Sequence, residues 1–203
     1  MSRPYPRRFL SVELFTGGGG LALGMEKEGF RHLLAVENNR HACESLRHNK
    51  AKECRDATHG IALAASSGVR WPLIESDVQD VDFAPLRDKV HVVAGGVPCQ
   101  PWSIAGKSEH VDEKVFSDRN LWPEMFRAVR QVRPLAIIAE NVVGLTRPSF
   151  AGYFKYILNE LRAPFEQRVE GETWVDHNRR LEKALGSSGG DPRERYVVEP
   201  TVL

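Results

Sequence analysis

The sequence predicts an α/β fold, a parallel sheet with helices on both faces, because short apolar runs alternate with helical patterns along the chain. The runs that have the length and composition of buried strands are residues 9–15, 32–36, 71–74, 91–94 and 135–139. Residues 40–49 and 121–133 instead carry apolar side chains at helical spacing. Strands that alternate with helices in this way form βαβ units, whose strands lie parallel.

Length and composition indicate one globular domain without a membrane segment. The 203 residues can build one substantial core and are few for two, so residues 1–203 are expected to form a single domain. The apolar fraction of 41% and the charged fraction of 27% exclude a fibrous or disordered chain. No apolar run is long enough to span a bilayer, and no leader marks secretion. The formal net charge of +1 does not by itself indicate a nucleic-acid partner.

Three cysteines, Cys43, Cys54 and Cys99, have no metal-ligand spacing, and their odd number argues against a disulfide framework. We therefore expect no metal site. A reducing cytoplasm is the natural compartment for such a chain.

The first predicted strand leads into a glycine-rich turn that opens a helix. Phe15 is followed by Thr16 and then by glycines at positions 17–20, a layout in which a backbone can pack against a ligand and direct helix N–H groups at it. Glu37 follows the second strand, twenty residues after Gly17, where a ribose diol is usually bound. The same glycines also match the weak dinucleotide pattern, so a nicotinamide-dependent dehydrogenase stays open as an alternative.

Two later strands end in side chains that are suited to chemistry. Pro98 stiffens the turn that presents Cys99 at the carboxyl end of the strand at residues 91–94, and ligands bind at that edge of an open α/β sheet. Most lone cysteines are small core residues, but a Gly-Gly-Val-Pro-Cys-Gln turn fills a core poorly. Glu140 ends the strand at residues 135–139, where a carboxylate loses hydration unless it has a partner or a task.

The glycine turn, Pro98-Cys99-Gln100 and Glu140-Asn141-Val142, in this order, resemble the motifs of the cytosine-C5 DNA methyltransferases. The resemblance implies a Rossmann-like methyltransferase sheet that binds S-adenosylmethionine. It implies a DNA (cytosine-5-)-methyltransferase that transfers a methyl group to C5 of a flipped-out cytosine through a covalent Cys99 adduct. In this reaction Glu140 contacts N3 and the exocyclic amine of the base.

The resemblance also assigns two sets of binding residues. Those it implies for the cofactor are Phe15, Gly17, Gly19, Gly20, Glu37, Asn38, Asp77, Val78, Pro98 and Leu121. Those it implies for the substrate are Pro98, Gln100, Ser103, Lys107, Asn141 and Val142. In the family, the residue at the place of Asp77 accepts from the adenine amino group, and the next apolar residue packs on the ring.

In the family, the strand that matches residues 195–203 leads into a Gln-x-Arg-x-Arg segment, a target-recognition region and a final cofactor-closing segment. None of these follows in the sequence, so we expect a partial catalytic domain. The expected partners are double-stranded DNA and a missing or separate C-terminal polypeptide that carries the recognition region. Restriction–modification and an orphan role both fit the sequence.

Two further alternatives stay open. An inactive truncated fragment, or a partner-binding remnant of an enzyme, would carry the same motifs. An RNA cytosine-C5 methyltransferase would use the same chemistry. A dehydrogenase explains the glycines and Glu37 but leaves the motifs around Cys99 and Glu140 without a role.

Overall fold

The computed structural model describes residues 9–66, 71–98, 120–187 and 191–202. The chain divides into two compact units, Met1–Val97 with Arg127–Glu140, and Pro98–Phe126 with Asn141–Leu203. No helix in the described part of the chain combines the length and the apolarity that crossing a bilayer requires.

The described residues of the first unit form one six-stranded parallel sheet in the order β3-β4-β2-β1-β5-β6. Its strands are β1 (Leu10–Leu14), β2 (Arg31–Glu37), β3 (Ala51–Glu53), β4 (Trp71–Glu75), β5 (Val92–Gly96) and β6 (Ala136–Glu140). The chain builds the sheet outward from β1 on one side and then returns to add β5 and β6 on the other. Ligands of open α/β sheets bind at the carboxyl ends of the strands beside such a reversal.

Helices cover both faces of this sheet. They are α1 (Gly20–Lys27), α2 (Arg40–Asn49) and α3 (Ala57–Ala65). Ala22 of α1 and Leu46 of α2 pack in one cluster with Ala35 of β2. Gly60 of α3 lies against Leu34, whose side chain points to the opposite face because side chains alternate along a strand. The predicted Rossmann-like α/β fold is therefore confirmed.

Helix α4 (Trp122–Val132) crosses from the second unit into the first and leads to β6. Within the first unit, the guanidinium of Arg127 donates to the carbonyl oxygens of Val78 at 2.7 Å and Val81 at 2.9 Å. These bonds hold the segment between β4 and β5, which contains two short 3₁₀ turns.

The second unit contains α5 (Ala151–Arg162) and α6 (Trp174–Gly186). Thr173 caps α6 by accepting the N–H of Asp176 at 3.1 Å, as its Thr-x-x-Asp spacing predicts. His177 is fully buried between the two helices, where Nδ1 lies 3.0 Å from the hydroxyl of Tyr156.

The small and polar residues at positions 51–70 predict a surface excursion with one helical turn, but the described part of this segment is more ordered than that. This segment contains β3 and α3, and Asp56 caps the helix by accepting the N–H of His59 at 2.8 Å. The sequence does not predict the full helix, because the residues on its buried side are small and give no clear apolar periodicity. A β-carbon at Gly60 would lie 3.0 Å from the carbonyl oxygen of Leu33, so the small residue is what lets the helix lie this close to the sheet.

The strand expected at residues 195–203 is not formed by its described part, residues 195–202. The N–H of Tyr196 donates to the carbonyl oxygen of Arg162 at 2.9 Å, but Val197 is almost fully exposed. Alternating apolar residues do not make a strand unless a neighbouring strand supplies the ladder.

Candidate active site

The glycine turn at the end of β1 is packed on one side, called its floor here, against Leu46 and Trp71, and is open on the other side among the described residues. Phe15 and Gly17 both adopt left-handed backbone conformations, with φ of 55° and 54°, and this conformation costs a non-glycine residue about 1–2 kcal/mol. At Gly19, where φ is 85°, a β-carbon would lie 2.8 Å from side-chain atoms of Leu46 and Trp71. A β-carbon at Gly17, Gly18 or Gly20 would meet no described atom within 4 Å. A ligand can thus approach the backbone from that side.

Glu37 ties this turn to the end of β2. Its carboxylate accepts the N–H of Gly17 at 2.6 Å through Oε2, and those of Asn38 and Asn39 at 3.0 and 2.7 Å through Oε1. The side chain of Asn39 in turn caps α2 by accepting the N–H of Ala42 at 3.1 Å. A carboxylate oxygen accepts two hydrogen bonds, so Oε2 of Glu37 keeps capacity for one hydroxyl donor.

Glu13 is a buried acid just before the glycine turn that sequence reasoning did not single out. It lies in β1, is 1% exposed, and its carboxyl accepts the N–H of Ala22 in the first turn of α1. Its Oε2 has no hydrogen-bond partner among the described residues. Burial raises the pKa of this carboxyl to about 8. The signal that could have found it is an acid inside an otherwise apolar strand that runs directly into a glycine turn.

Asp77 and Val78 follow β4, next to β2 in the sheet. The N–H of Ser76 donates to the carbonyl oxygen of Glu37 at 3.0 Å, so the ends of the two strands are joined. Asp77 is half-buried and accepts the N–H of Gln79 at 2.9 Å, whereas the side chain of Val78 is buried.

Glu140 and Gly96 are register partners at the carboxyl ends of β6 and β5. A β-carbon at Gly96 would lie 3.1 Å from Oε2 of Glu140, and the N–H of Val97 donates to the carbonyl oxygen of Glu140 at 3.1 Å. From the sequence, a desolvation cost is expected for this carboxylate unless it has a partner or a task, and the described structure leaves its side chain exposed. Glu140 is exposed, because β6 is the edge strand of the described sheet.

The remaining predicted residues fall in two groups. Cys99, Gln100, Ser103 and Lys107 lie outside the described residues. Pro98, Leu121, Asn141 and Val142 belong to the second unit. There the Oδ1 of Asn141 accepts the N–H of Val142 at 2.8 Å, and the half-buried Leu121 directly precedes α4.

The two described cysteines, Cys43 and Cys54, are both buried. Burial raises the pKa of both thiols, that of Cys54 to about 12, which disfavours the reactive thiolate. Within the described ranges, no group of three His, Cys, Asp or Glu side chains could hold a metal ion.

The residues around the glycine turn suit a ligand with hydroxyl groups and positive charge. Glu37 lies in hydrogen-bond contact with the turn, and Asp77 follows the neighbouring strand. Carboxylates at these places can accept hydrogen bonds from hydroxyl groups and attract a sulfonium or an ammonium group. S-adenosylmethionine has both cationic groups and a ribose diol, so the residues present fit this cofactor.

Comparisons with known proteins agree with this geometry. The family model of C-5 cytosine-specific DNA methylases matches residues 9–164. Type II methyltransferase M.PspPI of Psychrobacter sp. is 40% identical over 95% of this chain, and M.Eco47II of Escherichia coli is 39% identical over 66% of it. The chain spans 39% and 27% of the lengths of these two relatives.

Among solved structures, a prophage-encoded DNA modification methyltransferase of E. coli is 26% identical, with a TM-score of 0.47 over 74% of this chain and 37% of its own. At this TM-score, the likeness adds nothing to what the strand order establishes. The match of the family model over most of the chain, together with the relative that is 40% identical over nearly all of it, gives the assignment. The chain belongs to the C-5 cytosine-specific DNA methylase family.

Proposed function

We propose that this chain is the cofactor-binding and catalytic part of a DNA (cytosine-5-)-methyltransferase. The observation that carries the proposal is that β1 and β5 flank the reversal point of the sheet, with β6 beside β5. The glycine turn, the loop that leads to Cys99, and Glu140 follow these three strands at the same edge. S-adenosylmethionine is the cofactor of this family, and when bound it supplies an activated methyl group.

In this proposal, the turn at Gly17, Gly19 and Gly20 lies against the cofactor, and Glu37 accepts from its ribose through the remaining capacity of Oε2. Following the family resemblance, we also assign a cofactor-binding role to Phe15, Asn38, Asp77, Val78, Pro98 and Leu121. The backbone strain at Phe15 supports its role, because strained residues persist mainly where function requires them.

Cys99 is the proposed nucleophile. Cytosine C5 is too weakly nucleophilic to take a methyl group unaided, so a thiolate first adds to C6 of the ring. Glu140 delivers a proton to N3 as the negative charge develops there, and C5 then takes up the methyl group. The sulfonium–methyl bond breaks in the same step. Loss of the C5 proton to a base such as water, departure of the thiolate and return of the N3 proton to Glu140 then restore the aromatic ring.

The target base must leave the duplex to reach these groups, which costs a few kcal/mol that contacts in the pocket offset. Pro98 and Gln100 flank the nucleophile in sequence, and Asn141 and Val142 follow Glu140. We assign these four residues to the base pocket. Ser103 and Lys107 are assigned to the DNA backbone and the emptied stack.

A further polypeptide is proposed to complete the enzyme. M.PspPI has more than half of its length outside the part that this chain spans. β6 is the last strand of the described sheet, and apolar side chains on it and next to it are exposed, Ile138 to 41% and Leu135 to 75%. Such an edge is normally covered by another strand or helix. We therefore propose that residues 1–203 form a partial catalytic domain that acts in the cytoplasm and binds a C-terminal polypeptide along β6.

The test is covalent trapping in a reconstituted enzyme. This chain is mixed with the part of M.PspPI that it does not span, with S-adenosylmethionine and with duplex DNA that contains 5-fluorocytosine. The fluorine blocks loss of the C5 substituent, so we expect an adduct that survives denaturing electrophoresis. It should disappear in Cys99→Ser and persist in the matched control Cys54→Ser.

Three results would contradict the proposal. An adduct that persists in Cys99→Ser would remove the assigned nucleophile. Trapping on a 5-fluorocytosine RNA but not on the DNA would favour the RNA methyltransferase. An adduct that forms at full rate with Ile138→Lys would remove β6 as the docking edge.

A further inference from the structure

Ala22 in the first turn of α1 is held by two buried side chains from different strands. Its N–H donates to the carboxyl of Glu13 on β1. Its carbonyl oxygen lies 2.9 Å from Nε2 of His32 on β2. The backbone of this one residue is therefore joined to the sheet through both its N–H and its carbonyl group.

His32 is 1% exposed and both of its ring nitrogens have partners. A carbonyl oxygen can only accept, so Nε2 carries the proton that binds Ala22. Nδ1 of the neutral ring then accepts from the hydroxyl of Ser11, whose Oγ lies 2.9 Å away. The two bonds fix the tautomer and the orientation of the ring.

The ring of His32 also supports the floor of the glycine turn. It meets Trp71 edge-on, with ring centroids 5.3 Å apart. Trp71 in turn lies directly under Gly19, where a β-carbon would come within 2.8 Å of its ring. The glycine turn thus packs against the ring of Trp71, and this ring packs against His32.

Helix α1 needs this support. It has only eight residues, two of them glycines, and Gly19 at its N-terminus offers no capping side chain. Short helices of this kind are marginal on their own and depend on tertiary contacts. The position of the glycine turn therefore depends on what holds Ala22.

We infer that His32 is a positioning residue for the cofactor, which holds the first turn of α1 and the glycine turn in their binding shape before the cofactor arrives. Holding a site in its bound shape removes the ordering cost from the binding step. The inference rests on the proposed cofactor role of the glycine turn. Because His32 binds Ala22 and not the ligand, its effect should appear in the free protein as well as in cofactor affinity.

Two amide variants separate this role from loss of the ring. The side-chain amide nitrogen of His32→Gln reaches the place of Nε2 and can still donate to Ala22. The shorter amide of His32→Asn reaches only the place of Nδ1, next to Ser11. Both variants lose the edge-on contact with Trp71, and His32→Asn keeps a polar group next to Ser11, so a loss confined to His32→Asn would come from the missing bond to Ala22.

Two readouts are measured on the whole chain. The first is hydrogen exchange of the Leu23 amide without ligand, since this N–H donates to the carbonyl oxygen of Gly19 at 2.9 Å across the turn. The second is the calorimetric Kd of S-adenosylhomocysteine. In His32→Asn we expect exchange about tenfold faster and binding about tenfold weaker, the effect of one lost hydrogen bond. His32→Gln should stay within about threefold of the wild type in both.

Leu86→Ala is the stability control, because it empties a buried site away from α1 and should lower the free energy of unfolding with an unchanged Kd. The inference is overturned if His32→Asn matches the wild type, or if the two amide variants lose affinity equally. If the wild type itself fails to bind S-adenosylhomocysteine, the proposed cofactor role fails and the inference with it. If His32→Asn does not fold, His32→Leu decides, since it fills the buried site without a donor for the carbonyl oxygen of Ala22, and an unchanged Kd there would contradict the inference.

Discussion

The carboxylate of Glu140 leans over Gly96, so closely that a β-carbon on Gly96 would lie 3.1 Å from its Oε2. The two residues are register partners on the neighbouring strands β6 and β5. Gly96 also stands three residues before Cys99 in the chain. The absence of a side chain at Gly96 therefore leaves the proposed proton donor free to reach across the end of the strand that leads to the proposed nucleophile.

Gly96→Ala tests this relationship. The added methyl group displaces the carboxylate of Glu140, and a displacement near 1 Å can cost about a hundredfold in rate. The free energy of unfolding should fall by less than about 1 kcal/mol, because Glu140 is exposed and moves easily. Adduct formation in the reconstituted enzyme measures the first effect and urea denaturation the second. Gly152→Ala is the control, since its nearest contact would be an ordinary 3.6 Å and its trapping rate should not change.

Gly19→Ala and Gly17→Ala form a second matched pair. Both replace a glycine in the left-handed region, which costs about 1–2 kcal/mol. Only at Gly19 does the new methyl group meet Leu46 and Trp71 at 2.8 Å, and this overpacking adds about 1–3 kcal/mol. Urea denaturation should therefore show a clearly larger loss for Gly19→Ala. Equal losses of stability in the two variants would mean that Leu46 and Trp71 move aside at little cost and would contradict this prediction.

Glu37→Gln should weaken the link between the glycine turn and β2. An amide keeps one acceptor oxygen, so its NH₂ group must face either the N–H of Gly17 or the pair from Asn38 and Asn39. We expect a loss of about 1–3 kcal/mol in the free energy of unfolding and weaker binding of S-adenosylhomocysteine. Glu44→Gln is the control, because Glu44 is half-exposed in a surface ion pair with Arg40 and should change neither quantity by more than about 0.5 kcal/mol.

Glu13 should make stability fall as the pH rises. Its pKa is raised by burial from 4.5 to about 8, so between these values the folded state keeps a proton that the unfolded state has lost. The stabilising contribution is complete below pH 4.5 and is lost as the pH rises towards 8, at no more than about 1.4 kcal/mol per pH unit. The difference between wild type and Glu13→Gln in urea denaturation, measured from pH 5 to 8.5, isolates this group. A difference that does not change with pH would contradict the assignment.

The sequence by itself determined five of the six described strands, the turns that follow them and the family motifs they carry. Glycines, prolines and apolar runs affect the conformation of the nearest few residues. A short stretch of sequence therefore predicts the turn at Gly17, the strand that ends at Gly96 and the cap at Thr173. Helix α3 was missed because small residues such as Gly60 carry no strong periodic signal until the sheet that they pack against is known.

Only the tertiary structure decided which groups are buried and which are joined. Glu140 is exposed because β6 has no described neighbour on its outer side, and Glu13 is buried because α1 folds over β1. The link from His32 to Ala22 joins two elements whose sequences show no mutual pattern. Burial and hydrogen-bond partners depend on which segments become neighbours, and this is a property of the whole folded chain that no local stretch of sequence contains.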